Sequence, residues 1–134
     1  MEDYVSFETA NLLKEKGFDE RGLCVYTIED QSFHVFGDWV ENSCLMGHLI
    51  SAPTLQMAMK WLRTKNIFID IFHYNSKMAP FVWLIFAYDV LAPQRAETYE
   101  EAVENAIKYV LEHWDDVNDA LSKYYENDSK YLKI

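Results

Sequence analysis

Tyr99, Ala102, Val103, Ala106, Ile107, Val110 and Trp114 recur at helical spacing, and Thr98 with Glu101 forms a capping box at the start of that stripe. The pattern predicts an amphipathic helix over 98–114 that must bury its apolar face against another element. A second helical signature covers 6–17: Ser6 is placed as N-cap, Glu8 stands in the first turn, Lys14 and Lys16 in the last, and Gly17 at C′. Phe7, Ala10 and Leu13 mark its inner side. Residues 53–65 read as a third helix, with Pro53 in its first turn and Leu55, Ala58, Met59 and Leu62 as its stripe.

Between the helices the period drops to two. Residues 23–28 alternate around Val25 and Thr27, and 31–36 alternate again after Glu29 and Asp30, which predicts a hairpin. Residues 37–47 show neither period and are expected to be irregular, with Leu49 and Ile50 as a short strand. The β-branched and aromatic runs 67–74 and 81–89 predict a second hairpin, and the second run, apolar at odd and even positions alike, is expected to be a central strand covered on both faces. Four carboxylates, Glu112, Asp115, Asp116 and Asp119, oppose the dipole of a helix C-terminus but favour an N-terminus. A break is therefore predicted near Asp115, with Asp116 capping a short last helix to about Tyr125 and residues 127–134 loosely held. The order α-β-β-α-β-β-α(-α) implies an α+β fold in a single domain, residues 1–134, with one antiparallel sheet of two hairpins packed by helices and 115–134 as a C-terminal helical extension.

The 134 residues are half apolar, so the chain has material for a core. Its longest uncharged apolar run, 78–88, is too short to span a membrane, and the acidic N-terminus is unlike a signal peptide, so a cytoplasmic protein is expected. The net charge of −10 is segregated: residues 1–41 hold ten acids and three bases, 42–88 one acid and four bases, and 89–134 eleven acids and five bases. A polyanion is thus a disfavoured partner and a basic protein a better one.

Chemical motifs are sparse. Cys24 and Cys44 are expected to be free thiols rather than a disulfide. Cys44 and His48 have one suggestive spacing, but a structural zinc needs four ligands, and a Cys44, His48 and Asp38 nucleophile site depends on the fold bringing them together. No metal, cofactor or catalytic residue is predicted. Phosphate-cradling loops, His-Glu-x-x-His and nucleophile elbows are missing from the sequence. Lys60, Arg63, Lys65 and Lys77 lie beside Trp61, Phe68, Phe72, Tyr74 and Trp83, an interleaving that suits single-stranded nucleic acid, although these aromatics are also expected to build the core. The remaining candidate surface is at the C-terminal end, where Trp114, Asp115, Asp116, Asp119, Tyr124 and Tyr125 combine aromatics with acids and are expected to engage a protein partner.

Three blocks, residues 4–20 (Tyr4-Val-Ser-Phe-Glu-Thr-Ala-Asn onward), 52–63 (Ala52-Pro-Thr-Leu-Gln-Met onward) and 99–112 (Tyr99-Glu-Glu-Ala-Val-Glu onward), together resemble a family of small proteins carried by phages and mobile elements of gut Bacteroidetes. The resemblance implies no enzyme and carries over no catalytic residue. It implies instead a small interaction protein acting in the host cytoplasm on a host or competitor protein, with an acidic inhibitor as its narrower form. The competing expectations are a small enzyme or ligand-binding domain using Cys44 and His48, a weak single-stranded nucleic-acid binder, and a homo-oligomer.

Overall fold

In the computed structural model, which describes residues 3–45 and 47–132 and the side-chain surroundings of 3–36, 41–43, 45 and 47–127, the local signals translate into four helices and two three-stranded antiparallel sheets. The fold class is α+β. The chain divides into two units, Met1–Trp61 and Leu62–Ile134, with the division falling inside a helix.

In the first unit, helix α1 (Phe7–Glu15) opens on Ser6, whose Oγ accepts the Thr9 N–H at 3.2 Å. It closes at Gly17, whose φ of +93° lets Phe18 N–H reach back to the Leu13 carbonyl at 2.9 Å. That turn drives Phe18 into the core, where it meets Trp61 edge-on at 5.5 Å. Strands β1 (Gly22–Thr27), β2 (Phe33–Val40) and β3 (Leu49–Ser51) form a sheet in the order β2-β1-β3. The turn joining β1 to β2 needs no Asn-Gly: Asp30 Oδ1 accepts both the N–H and the hydroxyl of Ser32, and Gln31 takes the left-handed conformation at φ 59°. The backbone from 37 to 40, expected to be irregular, continues β2, and a register shift opposite Gly22 and Cys24 absorbs the extra residues.

Helix α2 (Leu55–Thr64) crosses the division. Its cap is Thr54, whose Oγ1 accepts from Met57 N–H at 3.1 Å, so Pro53 precedes the helix rather than sitting in its first turn. At its other end Asn66, at φ 63°, does for α2 what Gly17 does for α1, and Ile67 N–H returns to the Leu62 carbonyl.

In the second unit, β4 (Ile69–His73), β5 (Phe81–Ile85) and β6 (Arg95–Ala96) form the sheet β4-β5-β6, in which β5 is central as expected. Helix α3 (Tyr99–Glu112) packs on one face, burying Ala102, Val103, Ala106, Ile107, Val110 and Leu111 above the strands. Thr98 Oγ1 accepts the Glu101 N–H at 3.1 Å, as its spacing predicts. Helix α4 (Trp114–Leu132) begins directly after the α3 cap residue His113, close to the predicted break. Asp115 and Asp116 lie inside its first turn, so Asp116 is not the cap, and the helix runs seven residues past Tyr125 to Leu132 instead of ending there.

Candidate functional site

Strand alternation decides what the second unit shows to solvent. The register Ile69 to Ile85, Ile71 to Trp83 and His73 to Phe81 puts the odd-numbered positions of both strands on the α3 side, where Trp83 is 2% exposed. The even-numbered positions face outward: Asp70 opposite Leu84 and Phe72 opposite Val82, with Arg95 of β6 beside Val82. Phe86 N–H bonds the Phe68 carbonyl at 3.0 Å, which sets these two aromatic residues side by side at the end of the same face. Phe72 is 47% exposed, Leu84 41% and Phe86 39%, so β5 is covered on one face only, contrary to the expectation from its two-sided apolar run.

Helix α4 extends this face. Val117 and Leu121 are buried, and one turn on, Tyr124 meets Phe86 edge-on at 4.9 Å and Tyr125 at 5.6 Å while staying 43% exposed. Of the residues singled out in the sequence, Tyr124 and Tyr125 are therefore brought to the aromatic face, and Trp114 is half-buried. Asp115, Asp116 and Asp119 are exposed, a carboxylate cluster at the start of the same helix. The result is an apolar strip of Phe68, Phe72, Leu84, Phe86 and Tyr124 in a unit whose last helix is acid-rich. At the strip's other end the Arg95 guanidinium lies 6.0 Å from the centre of the exposed Tyr74 ring.

A second group forms where α3 meets α4. The His113 ring stacks on Tyr109 at 3.9 Å and 15°, with Nδ1 2.9 Å from the Tyr109 carbonyl oxygen. Tyr109 also contacts Trp83 at 5.5 Å and Tyr88 at 6.2 Å. Burial above all, then a hydrogen bond to Tyr109 and the negative charge of Asp116, pushes the Tyr88 phenol above its ordinary range. These contacts fix the α3–α4 corner.

His48 is exposed on a turn where its carbonyl accepts the Ile28 N–H, while the side chains of Cys44 and Asp38 lie outside the described residues. Among the described residues no group of His, Cys, Asp and Glu is arranged to hold a metal, and Cys24 is a buried free thiol. Trp61 and Trp83 are buried, so they do not join the exposed bases in a nucleic-acid surface, whereas Phe68, Phe72 and Tyr74, expected in the core, are on the surface. A recess of about 70 Å³ bounded by Tyr4, Gly22, Cys24, Ala52 and Met57 is far smaller than the roughly 300–1,000 Å³ of small-molecule sites, and a wider one of about 330 Å³ beside Lys14, Phe18, Asp19 and Asn42 is open to solvent and is not lined by His48.

Asn42 was not singled out by its sequence context, yet its Nδ2 donates to the Phe18 carbonyl and its Oδ1 accepts from Ser51 N–H, both at 2.8 Å. A side chain bonding backbone far away in sequence leaves no periodic signal. Among the described residues, no helix is long and apolar enough to cross a membrane. No family model, curated protein or solved structure matches the chain.

Proposed function

We propose that the chain is a non-enzymatic interaction protein that binds a host or competitor protein through the outer face of the β4-β5-β6 sheet and the aromatic turn of α4. The observation that carries this is the continuous exposed strip Phe68, Phe72, Leu84, Phe86 and Tyr124. Scattered apolar residues on a surface need no explanation, but aromatics aligned on one face of one sheet are what a partner-binding core is made of. The acids Asp115, Asp116 and Asp119 favour a partner with a basic rim, and the resemblance to mobile-element proteins suggests that the partner is foreign. The protein would act in the host cytoplasm, and an acidic inhibitor is the narrower form of this proposal.

The experiment is affinity capture from host lysate by the full chain and by Phe72→Asp and Phe86→Ala variants, at low and moderate salt. A saturable partner whose capture falls at least tenfold in both variants, a loss of about 1.4 kcal/mol or more, supports the proposal. Capture that is unsaturable at both salt levels, or indifferent to both substitutions, sinks it. Single-stranded nucleic acid is the second reading, favoured by the exposed Phe68, Phe72 and Tyr74 beside Arg95. Asp70, set between Phe68 and Phe72 on that face, opposes a phosphate backbone, and an electrophoretic shift absent at low salt would end this reading.

A further inference from the structure

Among the described residues, β4 has a regular sheet edge on which Asp70 is the single charged side chain. At the edges of the first sheet, Asn42 Oδ1 takes the outward N–H of Ser51 on β3, and β2 is interrupted by its register shift. Strand β6 has only two residues, and Arg95 Nε donates to the Ala79 carbonyl at 3.0 Å. Strand β4, Ile-Asp-Ile-Phe-His, pairs with β5 without a shift and contains no Lys, Pro or bulge, so Asp70 is its one guarding feature. The flanking bonds, Phe86 N–H to the Phe68 carbonyl and Tyr74 N–H to the Pro80 carbonyl, aim the even-numbered backbone groups at β5. The N–H and C=O groups of Ile69, Ile71 and His73 therefore point away from it, as an antiparallel ladder requires.

We propose that this edge pairs, antiparallel, with the same edge of a second copy about a two-fold axis through Ile71, joining two three-stranded sheets into one of six strands. The strand is complementary to itself in this register. Ile71 faces its twin and Ile69 faces His73 of the other copy, each pair exchanging both backbone bonds. On the outer face Asp70 falls opposite Phe72, and Phe68 opposite Tyr74, so an aromatic pair closes each end. A register centred on Asp70 sets two carboxylates against each other, and one centred on Phe72 leaves Ile69 unpaired. The one charge on β4 is Asp70, and in this register it falls opposite Phe72 rather than its twin, so no carboxylate faces another across the seam. The outer faces of the two sheets then run on as one surface.

The test is light scattering coupled to size exclusion on the full chain over a dilution series, together with disulfide trapping in a Cys44→Ser background. The expected mass is twice 15.8 kDa at the concentrated end, falling to a single chain in Ile71→Pro with its far-UV circular dichroism retained. Under an added thiol oxidant, Asp70→Cys mixed with Phe72→Cys should cross-link, while each alone should not. In the proposed register residues 70 and 72 are a close pair, about 4.5 Å between Cα atoms, whereas each stands roughly 7–8 Å from its own twin. The cysteine pair reports on the register even if Ile71→Pro fails to fold. A single-chain mass throughout the series, a dimer that the mixture does not cross-link, or cross-linking by either variant alone would overturn the proposal. Mass and cross-linking are read without any foreign partner, so they stand or fall independently of the capture experiment.

Discussion

Asn42 holds a loop, a helix end and a strand edge with one amide: its two bonds, to Phe18 and Ser51, each span a separation that no local propensity encodes. Replacing it with Ala strands the outward Ser51 N–H and the Phe18 carbonyl. We expect Asn42→Ala to lower unfolding stability by about 1–3 kcal/mol in a denaturant titration, with unchanged slope. Tyr88 gives a pH signature. Its phenol is raised in the folded state, so the stabilisation it contributes is full below its unfolded value of about 10 and is lost as pH climbs through the raised folded value. The melting temperature should therefore fall more steeply above about pH 10 in the native chain than in Tyr88→Phe, which has no phenol to ionise at that position. Equal slopes in the two proteins would rule this out.

Caps and stripes were legible at the level of elements because each is a short-range rule. Ser6, Gly17 and Thr98 occupy the places their chemistry predicts, and every member of the Leu55, Ala58, Met59 and Leu62 stripe is buried. Strand ends were not legible. The apolar run from 81 has no Gly or Pro to stop it, yet β5 ends at Ile85 because Ala87 turns through φ 66°. Strand β6 is two residues held partly by Gln94, whose carbonyl accepts Trp83 N–H and whose Nε2 donates to the Trp83 carbonyl. No period fits in two residues. The exposed face escaped for a related reason: when odd and even positions are both apolar, alternation cannot say which face is bare. Helix α4 permits a separation of roles. Leu121→Ala, at a buried position, should cost about 2–4 kcal/mol of stability, whereas Tyr124→Ala, on the surface, should cost under about 1 kcal/mol while weakening partner capture. Similar losses in both would show that Tyr124 is structural.

For the molecule as a whole, the charge layout was readable from the sequence and the α+β class followed from element order, but the exposed aromatic face proposed as an interaction surface depends on strand register and could be drawn only from the fold. Acids in the first and last thirds flank a middle with a small basic excess, so attraction to a basic partner should be long-ranged and salt-sensitive. Raising ionic strength from about 0.01 to 0.15 M, which shortens the screening length from roughly 30 to 8 Å, should slow association several-fold while leaving dissociation nearly unchanged. The inner face of β5 also sets a timing problem during synthesis. Phe-Val-Trp-Leu-Ile emerges from the ribosome while α3 is still inside the exit tunnel, and until that helix emerges and folds down, Trp83 and Ile85 have no cover. For those moments the nascent chain carries an uncharged, strongly β-forming segment of the kind that chaperones bind and aggregates recruit, and a chain interrupted just before Thr98 should be insoluble where the complete one is not.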